Sequence, residues 1–423
     1  MKKIINVFIV SCVMILTLIT LNVGSIFAQS GVTCESDYIV KAGDWLSKIA
    51  DKSYGDVRIY PTIFNATNAK AVTDSSYAGM DNPNFIKPGW KLCLPGTAEA
   101  TEKPFPIIVT GLNDHLIYFE TGREWSISPG DSLWVDQGAM TLGIGTYAIH
   151  QGDEAIVYDT FTSVKQAQFV RNYLEDMGVT KFIVVNSHWH LDHIAGNATY
   201  LDTEIVASEL TLATLQSLEA KIEDGTLWGP PPINPLVFPT QTYTEQTTLY
   251  VGDIEVQLIN FNIHSADGTV AYLPADKIAL AGDMLEDTVT VMAEFEGLPT
   301  HVKELKRFKA MDIEAIYPNH GNPDVIKNRG YDKTFIDAMA TYITKLVIQA
   351  HALEDDAFLS LTIEDVIGEY LNNNSVSIYE PYRDVHRLFN LPGILKYYRA
   401  NPLSEDELED LNKYYQDNFG DGQ

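Results

Sequence analysis

One stretch constrains this chain more than any other: Asn186-Ser187-His188-Trp189-His190-Leu191-Asp192-His193-Ile194-Ala195-Gly196-Asn197. It follows Phe182-Ile183-Val184-Val185, an apolar, β-branched run of the kind that forms a buried strand. The stretch therefore opens at that strand's C-terminal end, where a rigid scaffold presents chemistry on a loop. Three imidazoles and a carboxylate fall within six residues, in a chain that has only 10 His. Neutral imidazole together with carboxylate suits zinc or a similar transition metal. Four such donors on one tight loop cannot all reach a single ion well, so their crowding points to two adjacent metals. The competing reading is a polar loop that merely holds histidine, and the concentration of His in one short loop weighs against it.

The chain has 423 residues, enough for two or three domains, and a formal net charge of -28. So acidic a chain repels nucleic-acid phosphates, and no basic stripe offsets the repulsion, so no nucleic-acid partner is expected. Solubility accounts for the charge. Met1-Lys2-Lys3 precedes an apolar run from Ile4 to about Val23, followed by small residues at Ser25, Ala28 and Ser30. This is the pattern of a signal peptide over residues 1–30, cleaved near Ala28 or Ser30, with an uncleaved anchor as the alternative. No other stretch is apolar for long enough to span a bilayer. Of the three Cys, Cys12 lies inside the signal. Cys34 and Cys93 remain, an even number in an exported chain, and are expected to form a disulfide rather than a zinc site, because no further ligands cluster near either.

After the signal, Asp37 to Ala50 reads as a short alternating strand, a Gly43-Asp44 turn, and a helix capped by Asp44 with Leu46, Ile49 and Ala50 on one face. A second helix is expected over Val57 to Asn65, and Phe85 to Pro95 reads as a Pro88-Gly89 turn and a strand. The order strand, helix, helix, strand resembles a LysM module through Tyr38, Gly43-Asp44, Leu46, Ile49-Ala50, Asn65, Ile86, Pro88-Gly89 and Leu92. The resemblance implies binding to the N-acetylglucosamine backbone of peptidoglycan or chitin by residues 31–97, with the glycan-contacting residues unassigned. Ala69 to Asn84 is longer than the usual connection and lies near the groove where the resemblance places the glycan.

Residues 98–103 form a small, polar linker. Beyond it, Ile107-Ile108-Val109 and Leu116 to Phe119 begin a β-rich region, and Ala155 to Tyr158 is a buried strand ending at Asp159. Ser163 caps an amphipathic helix with Val164, Ala167, Val170, Leu174 and Met177 inward and Gly178 as its stop. A strand at Glu204 to Ala207 and a helix from Ser208 repeat the pattern, which predicts helices packed on mixed sheets. Gly225 to Thr240 carries too much Pro and Gly for regular structure, and Trp228 is a candidate wall of a substrate cleft. Residues 329–423 are helical, with a capping box at Ser404-Glu405-Asp406-Glu407, and are expected to pack on the preceding domain or to mediate a homodimer. His351 and His386 in this segment are read as surface or core residues.

The central loop resembles the His-x-His-x-Asp-His signature of the metallo-β-lactamase superfamily, and the resemblance covers residues 104–328. That family places a further His after a later strand, an Asp on the next strand and a last His near the domain's end. His264, Asp283 and His320 stand at those places. The resemblance implies an αββα sandwich with the metal site at one edge between the sheets. It also implies that His188, His190 and His264 hold one ion and that Asp192, His193 and His320 hold the other. Asp283 and a water or hydroxide would bridge the two. Zinc is the expected metal, with manganese or iron(II) as alternatives. Asp192 would also act catalytically, orienting the hydroxide and shuttling its proton. Asp159, at a strand end, is either a support for a ligand His or a plain turn cap.

The resembling β-lactamases carry Cys or Ser where this chain has Asp283. The Asp-bridged branch includes lactonases, thioesterases, phosphodiesterases and RNA-processing nucleases, and charge and export argue against RNA. The expectation is an exported dizinc hydrolase of an ester, lactone, thioester or related bond, held on the cell wall by its LysM module. The alternatives are a cell-surface phosphodiesterase, a β-lactamase, and a wall-binding protein whose hydrolase domain is retired.

Overall fold

A computed structural model describes residues 34–42, 44–54, 60–80, 86–96, 107–123 and 133–420. The expected signal segment, Gly43, the linker 98–103 and residues 57–59 of the expected second helix lie outside them. The chain divides into two compact units, Met1–Pro104 and Phe105–Gln423.

In the first unit, β1 (Cys34–Ile39) pairs antiparallel with β2 (Lys91–Pro95), and α1 (Leu46–Tyr54) and α2 (Tyr60–Thr73) intervene in sequence. Val40, Leu46, Ile49, Ile63, Leu92 and Leu94 make a small core. A disulfide between Cys34 and Cys93 staples the start of β1 to β2 across 59 residues. Closing a loop of that length contributes about 4 kcal/mol in the chain-entropy picture. The second helix reaches well past Asn65. Its Thr67 hydroxyl donates to Ile63 O and accepts from Cys93 N–H, so a residue that often ends helices is satisfied within one. Asn68 then brackets Met80 with two hydrogen bonds, at 2.9 and 2.8 Å, drawing the long connection back onto the helix. The Asp44 carboxylate accepts from Lys41 N–H and the Tyr38 hydroxyl, which closes the turn after β1.

The second unit is built on two sheets. β3 (Ile108–Gly111), β4 (Leu116–Thr121), β5 (Ile144–Gln151), β6 (Glu154–Tyr158), β7 (Lys181–Val185), β8 (Glu204–Ser208) and β9 (Gln241–Tyr243) lie in that order, antiparallel to β6 and parallel from β6 onward. β10 (Gln246–Val251), β11 (Ile254–Asn260), β12 (Thr269–Leu273), β13 (Ile278–Gly282) and β14 (Ala315–Pro318) form the other sheet, parallel only at β13–β14. Tyr147, Ile156 and Val185 of the first sheet share one core with Val256, Leu258, Val270 and Leu280 of the second. Alternation along each strand leaves its other face for a helix.

A wide helical segment, α3 (Leu133–Met140), precedes β5, and α4 (Val164–Asp176) covers the first sheet. Ala167, Val170 and Leu174 of α4 meet Phe119, Val157 and Val184. Ser163 caps α4, its side chain accepting from Gln166 N–H. Val164 and Met177, expected inward, are exposed, because they occupy the two ends of the helix. Gln166 is buried in their place, its Oε1 accepting from the Thr162 and Ser163 hydroxyls. The central loop forms a single turn, α5 (Leu191–Ile194), and Ser208 caps α6 (Glu209–Glu223). Residues 225–240 form neither helix nor strand.

The second sheet is covered by α7 (Leu298–Lys309), which is followed after β14 by α8 (Pro323–Lys327) and α9 (Thr334–Ala352). Val302, Leu305 and Phe308 of α7 and Phe335, Ile336, Met339 and Ile343 of α9 belong to the same core as that sheet. The layers are therefore helix, sheet, sheet, helix: an αββα sandwich. The chain continues through α10 (Asp355–Leu359), α11 (Ile363–Asn372), α12 (Pro381–Asp384), a π-turn segment Val385–Asn390, α13 (Leu391–Ala400) and α14 (Glu405–Asn418). Capping boxes at Thr362/Asp365 and Ser404/Glu407 start α11 and α14. Phe358, Ile367, Tyr382, Ile394 and Leu411 join the sandwich core, so the C-terminal helices pack on the sandwich. Among the described residues, no helix is long and apolar enough to cross a membrane.

Candidate metal centre

Parallel strands end on one edge, and their C-terminal loops gather there. β6 delivers Asp159, β7 the loop Asn186–His193, β13 Asp283, and β14 Asn319 and His320. The β11–β12 loop adds His264. The loops are laced together: Thr269 N–H donates to Ser187 O, Asn319 N–H to Gly282 O, and Thr160 N–H to His193 O. Gly282 has φ +54°, and a Cβ there would meet the Ser187 Cβ at 2.9 Å. Only glycine lets β13 hand over Asp283 so close to the central loop. His264 and Asp159 also hold positive φ, at 66° and 69°, the kind of backbone strain that surrounding structure must enforce.

All seven side chains singled out from the sequence converge. His188, His190, His264 and Asp283 offer donor atoms within 4.8 Å of one another, and so do Asp192, His193, Asp283 and His320. Asp283 belongs to both groups. The five imidazoles are buried, and the Asp192 side chain is the most open of the set at 15% exposure.

The imidazoles are held by their outer nitrogens. His193 Nδ1 lies 2.9 Å from Asp159 Oδ2, and Asp159 is fixed in turn by Ser187 N–H and Asn319 Nδ2, both at 2.6 Å. His264 Nδ1 donates to Val291 O at 3.1 Å, and His320 Nδ1 donates to Gly143 O. Committing Nδ1–H to a carbonyl or carboxylate leaves a lone pair on Nε2, facing inward. His188 Nδ1 sits 2.9 Å from the Ser187 hydroxyl. Asp159 therefore supports a central-loop histidine, and the turn-cap reading falls. The sequence had not singled out Ser187, Asn319 or Glu286. Glu286 is buried 3.6 Å from His264 Nδ1, accepting from Val291 N–H and from the Tyr382 hydroxyl of α12. Its nearness to Asp283 in sequence is the only signal that pointed there.

The electrostatics split the cluster in two. Burial and neighbouring imidazoles hold His188 well below the usual histidine range, His190 down at about 3, and His264 below its ordinary value. These rings are neutral, as a metal donor must be. Burial acts on His193 and His320 in the same sense. There, however, the Asp283 and Asp192 carboxylates outweigh it, lifting His193 well above its usual range and His320 to about 9. Burial and the Asp283 charge push Glu286 up to about 8.

This arrangement fits transition-metal ions. His188 Nε2 and Asp283 Oδ1 are buried with no hydrogen-bond partner, a cost that a cation would remove. His264 Nε2 and His190 Nδ1 point at each other across 3.0 Å, with His264 Nδ1 already engaged by Val291 O. Imidazole and carboxylate donors around one shared carboxylate are the chemistry of a dinuclear site.

Residues 143–320 match the metallo-beta-lactamase superfamily and residues 38–95 match the LysM domain. The chain carries a metallo-β-lactamase superfamily domain with an N-terminal LysM domain. It is 27% identical over 194 residues to the thioesterase pkgB of Emericella nidulans, a match covering 45% of this chain and 49% of that protein. It is 41% identical over 64 residues to an uncharacterized protein of Deinococcus radiodurans, covering 15% and 21% respectively. The chain thus spans about half the length of the first of these relatives and a fifth of the second. Among solved structures, a metallo-beta-lactamase from Pontibacter korlensis is similar at 18% identity and a TM-score of 0.40, covering 51% of this chain and 92% of that one. Another, from Hirschia baltica, is similar at 14% identity and a TM-score of 0.39, covering 55% and 98%.

Proposed function

We propose that this protein is an exported metal-dependent hydrolase that splits an ester, lactone, thioester or related bond with water. One observation carries the reading: two buried donor groups, each complete, share the single carboxylate of Asp283. His188, His190 and His264 would hold one zinc ion, Asp192, His193 and His320 the other, and Asp283 both. When bound, two such cations would acidify a water toward neutral pH and polarise a carbonyl. Asp192, on the open side of the cluster, takes the proton of the attacking water and returns it to the leaving group. Asp159 keeps His193 in its donor tautomer, and Val291 O and Gly143 O do the same for His264 and His320. Acyl–X and water become a carboxylic acid and HX.

The likeness to a thioesterase supports the acyl branch of this reading. The test is a panel of ester, thioester, lactone, β-lactam and phosphodiester substrates with the zinc- or manganese-loaded chain. The expected outcome is hydrolysis of an acyl substrate that EDTA abolishes and zinc restores. Turnover of phosphodiesters or β-lactams alone would overturn the assignment.

The LysM domain and the Cys34–Cys93 disulfide support a cell-wall location outside the cytoplasm. We expect the full chain to sediment with insoluble peptidoglycan, and a chain beginning at Phe105 to stay in the supernatant. Equal partitioning of the two would remove the anchoring role.

A further inference from the structure

A cleft of about 1380 Å³ lies between the sandwich and the C-terminal helices. Drug-sized ligands fill pockets of roughly 300–1,000 Å³, so this one is roomy. None of the seven metal-site residues lines it, but two of its lining residues reach them. Trp228 in its lining stands 5.1 Å, ring to ring, from His190, and Val291, also in the lining, is the residue whose carbonyl fixes His264. Trp134, anchored through Nε1 to Pro231 O, joins them in the lining. The lining also carries Leu359 of α10 and the adjacent pair Leu388 and Phe389 from the π-turn segment. Leu388 is 64% exposed and Phe389 50%, although both face a cleft beside a polar centre. Large apolar side chains presented this way mark a binding surface.

Charge narrows the occupant. The two cations on the lining are each already paired: Arg383 with Glu364 and Glu380, and Arg387 with Asp384 at 2.9 Å. Glu380 and Asp384 on the same lining balance these two charges, so the cleft offers no net positive charge to an anionic substituent. A neutral, apolar group would meet two tryptophans, leucines and a phenylalanine.

We propose that this cleft is an acyl-chain subsite. The chain hydrolyses esters or thioesters whose acyl group is a neutral hydrocarbon tail of medium length, with the carbonyl at the metal centre and the tail running past Trp228 toward Leu388 and Phe389. The inference rests on the acyl-hydrolase reading above and extends it to a substrate class. The C-terminal helices thereby supply specificity as well as packing.

Each methylene buried in an apolar site is worth up to roughly fourfold in affinity. In a p-nitrophenyl ester series from acetyl to decanoyl, kcat/KM of the zinc-loaded full chain should rise by at least roughly tenfold. Leu388→Ala combined with Phe389→Ala removes exposed side chains, which folding tolerates. This variant should cut the decanoyl-to-acetyl ratio by roughly tenfold. Tyr250→Ser, which removes an exposed aromatic outside the cleft, should leave the ratio as it is. Calorimetry with decanoate and butyrate provides a readout without turnover: decanoate should bind at least roughly tenfold tighter, and the double variant should erase the difference. A flat ester profile, or equal binding of the two acids, would overturn the subsite. Tight, variant-sensitive decanoate binding without hydrolysis of any acyl substrate would instead retain the subsite and overturn the acyl-hydrolase reading.

Discussion

The two halves of the metal centre share Asp283 but are built on opposite electrostatic plans. Around His188, His190 and His264 the supports are neutral: the Ser187 hydroxyl and the Val291 carbonyl. The rings there are held below their usual pKa, Asp283 is the one carboxylate within their group, and Glu286 behind His264 is itself pushed up to about 8. Around His193 and His320 the charge is concentrated: Asp192 and Asp283 within the group, and Asp159 behind His193. The first half is a set of three neutral imidazoles around one carboxylate. The second half is self-compensated by ion pairs before any cation arrives. The two groups would therefore hold a cation with different donor balances, three imidazoles and one carboxylate in the first and two of each in the second.

The sharpest way to break this comparison is Asp192→Asn. Shape and one oxygen donor remain, whereas the charge and the proton acceptor go. At saturating zinc, with occupancy measured in the same samples, turnover should fall by about 10²–10⁴-fold while most of the metal stays. Turnover near the parent rate in fully loaded protein would make Asp192 a ligand only.

Asp159→Asn comes next. The new amide must keep an oxygen toward Ser187 N–H, so its NH₂ meets His193 Nδ1 and reverses the tautomer. The second group should lose roughly 10–100-fold in metal affinity, the range seen for residues that orient a ligand. An unchanged affinity would show that Asp159 does not set the ring. Ser187→Ala should do least. It removes a neutral hydroxyl from His188, and the first group's affinity should fall only a few-fold, in line with one neutral hydrogen bond of about 1 kcal/mol. Competition titrations against a zinc chelator measure both, and equal losses in the two variants would contradict the asymmetry.

What was legible in the chain follows from how local each signal is. His188 to His193 sit on one loop after a run that reads as a buried strand, whereas His264, Asp283 and His320 were placed through the family resemblance. The LysM unit was legible for the same reason, in turns and short alternating runs. Helix ends were less so. Thr67 and Asn68 look like breakers, yet hydrogen bonds to Cys93 and Met80 hold them in or beside α2. The support around His264 was not legible at all. Glu286 meets Tyr382 across 96 residues, and Asn390 clamps the strand-following loop by accepting from Met292 N–H and donating to Thr290 O. No periodicity in the C-terminal helices reports that they face the site, because their apolar residues satisfy the packing pattern whether or not a cleft lies beyond. The exposed pair Leu388 and Phe389 breaks that pattern, but only the fold shows where it points.

Turnover by two cations would require both halves to be filled. Elemental analysis of the full chain, run alongside activity during stepwise zinc addition to metal-free protein, tests it directly. About two ions per chain are expected at full activity, with His188→Ala and His320→Ala each retaining about one and both close to inactive. Full activity reached at one ion per chain, or no loss in either variant, would contradict it.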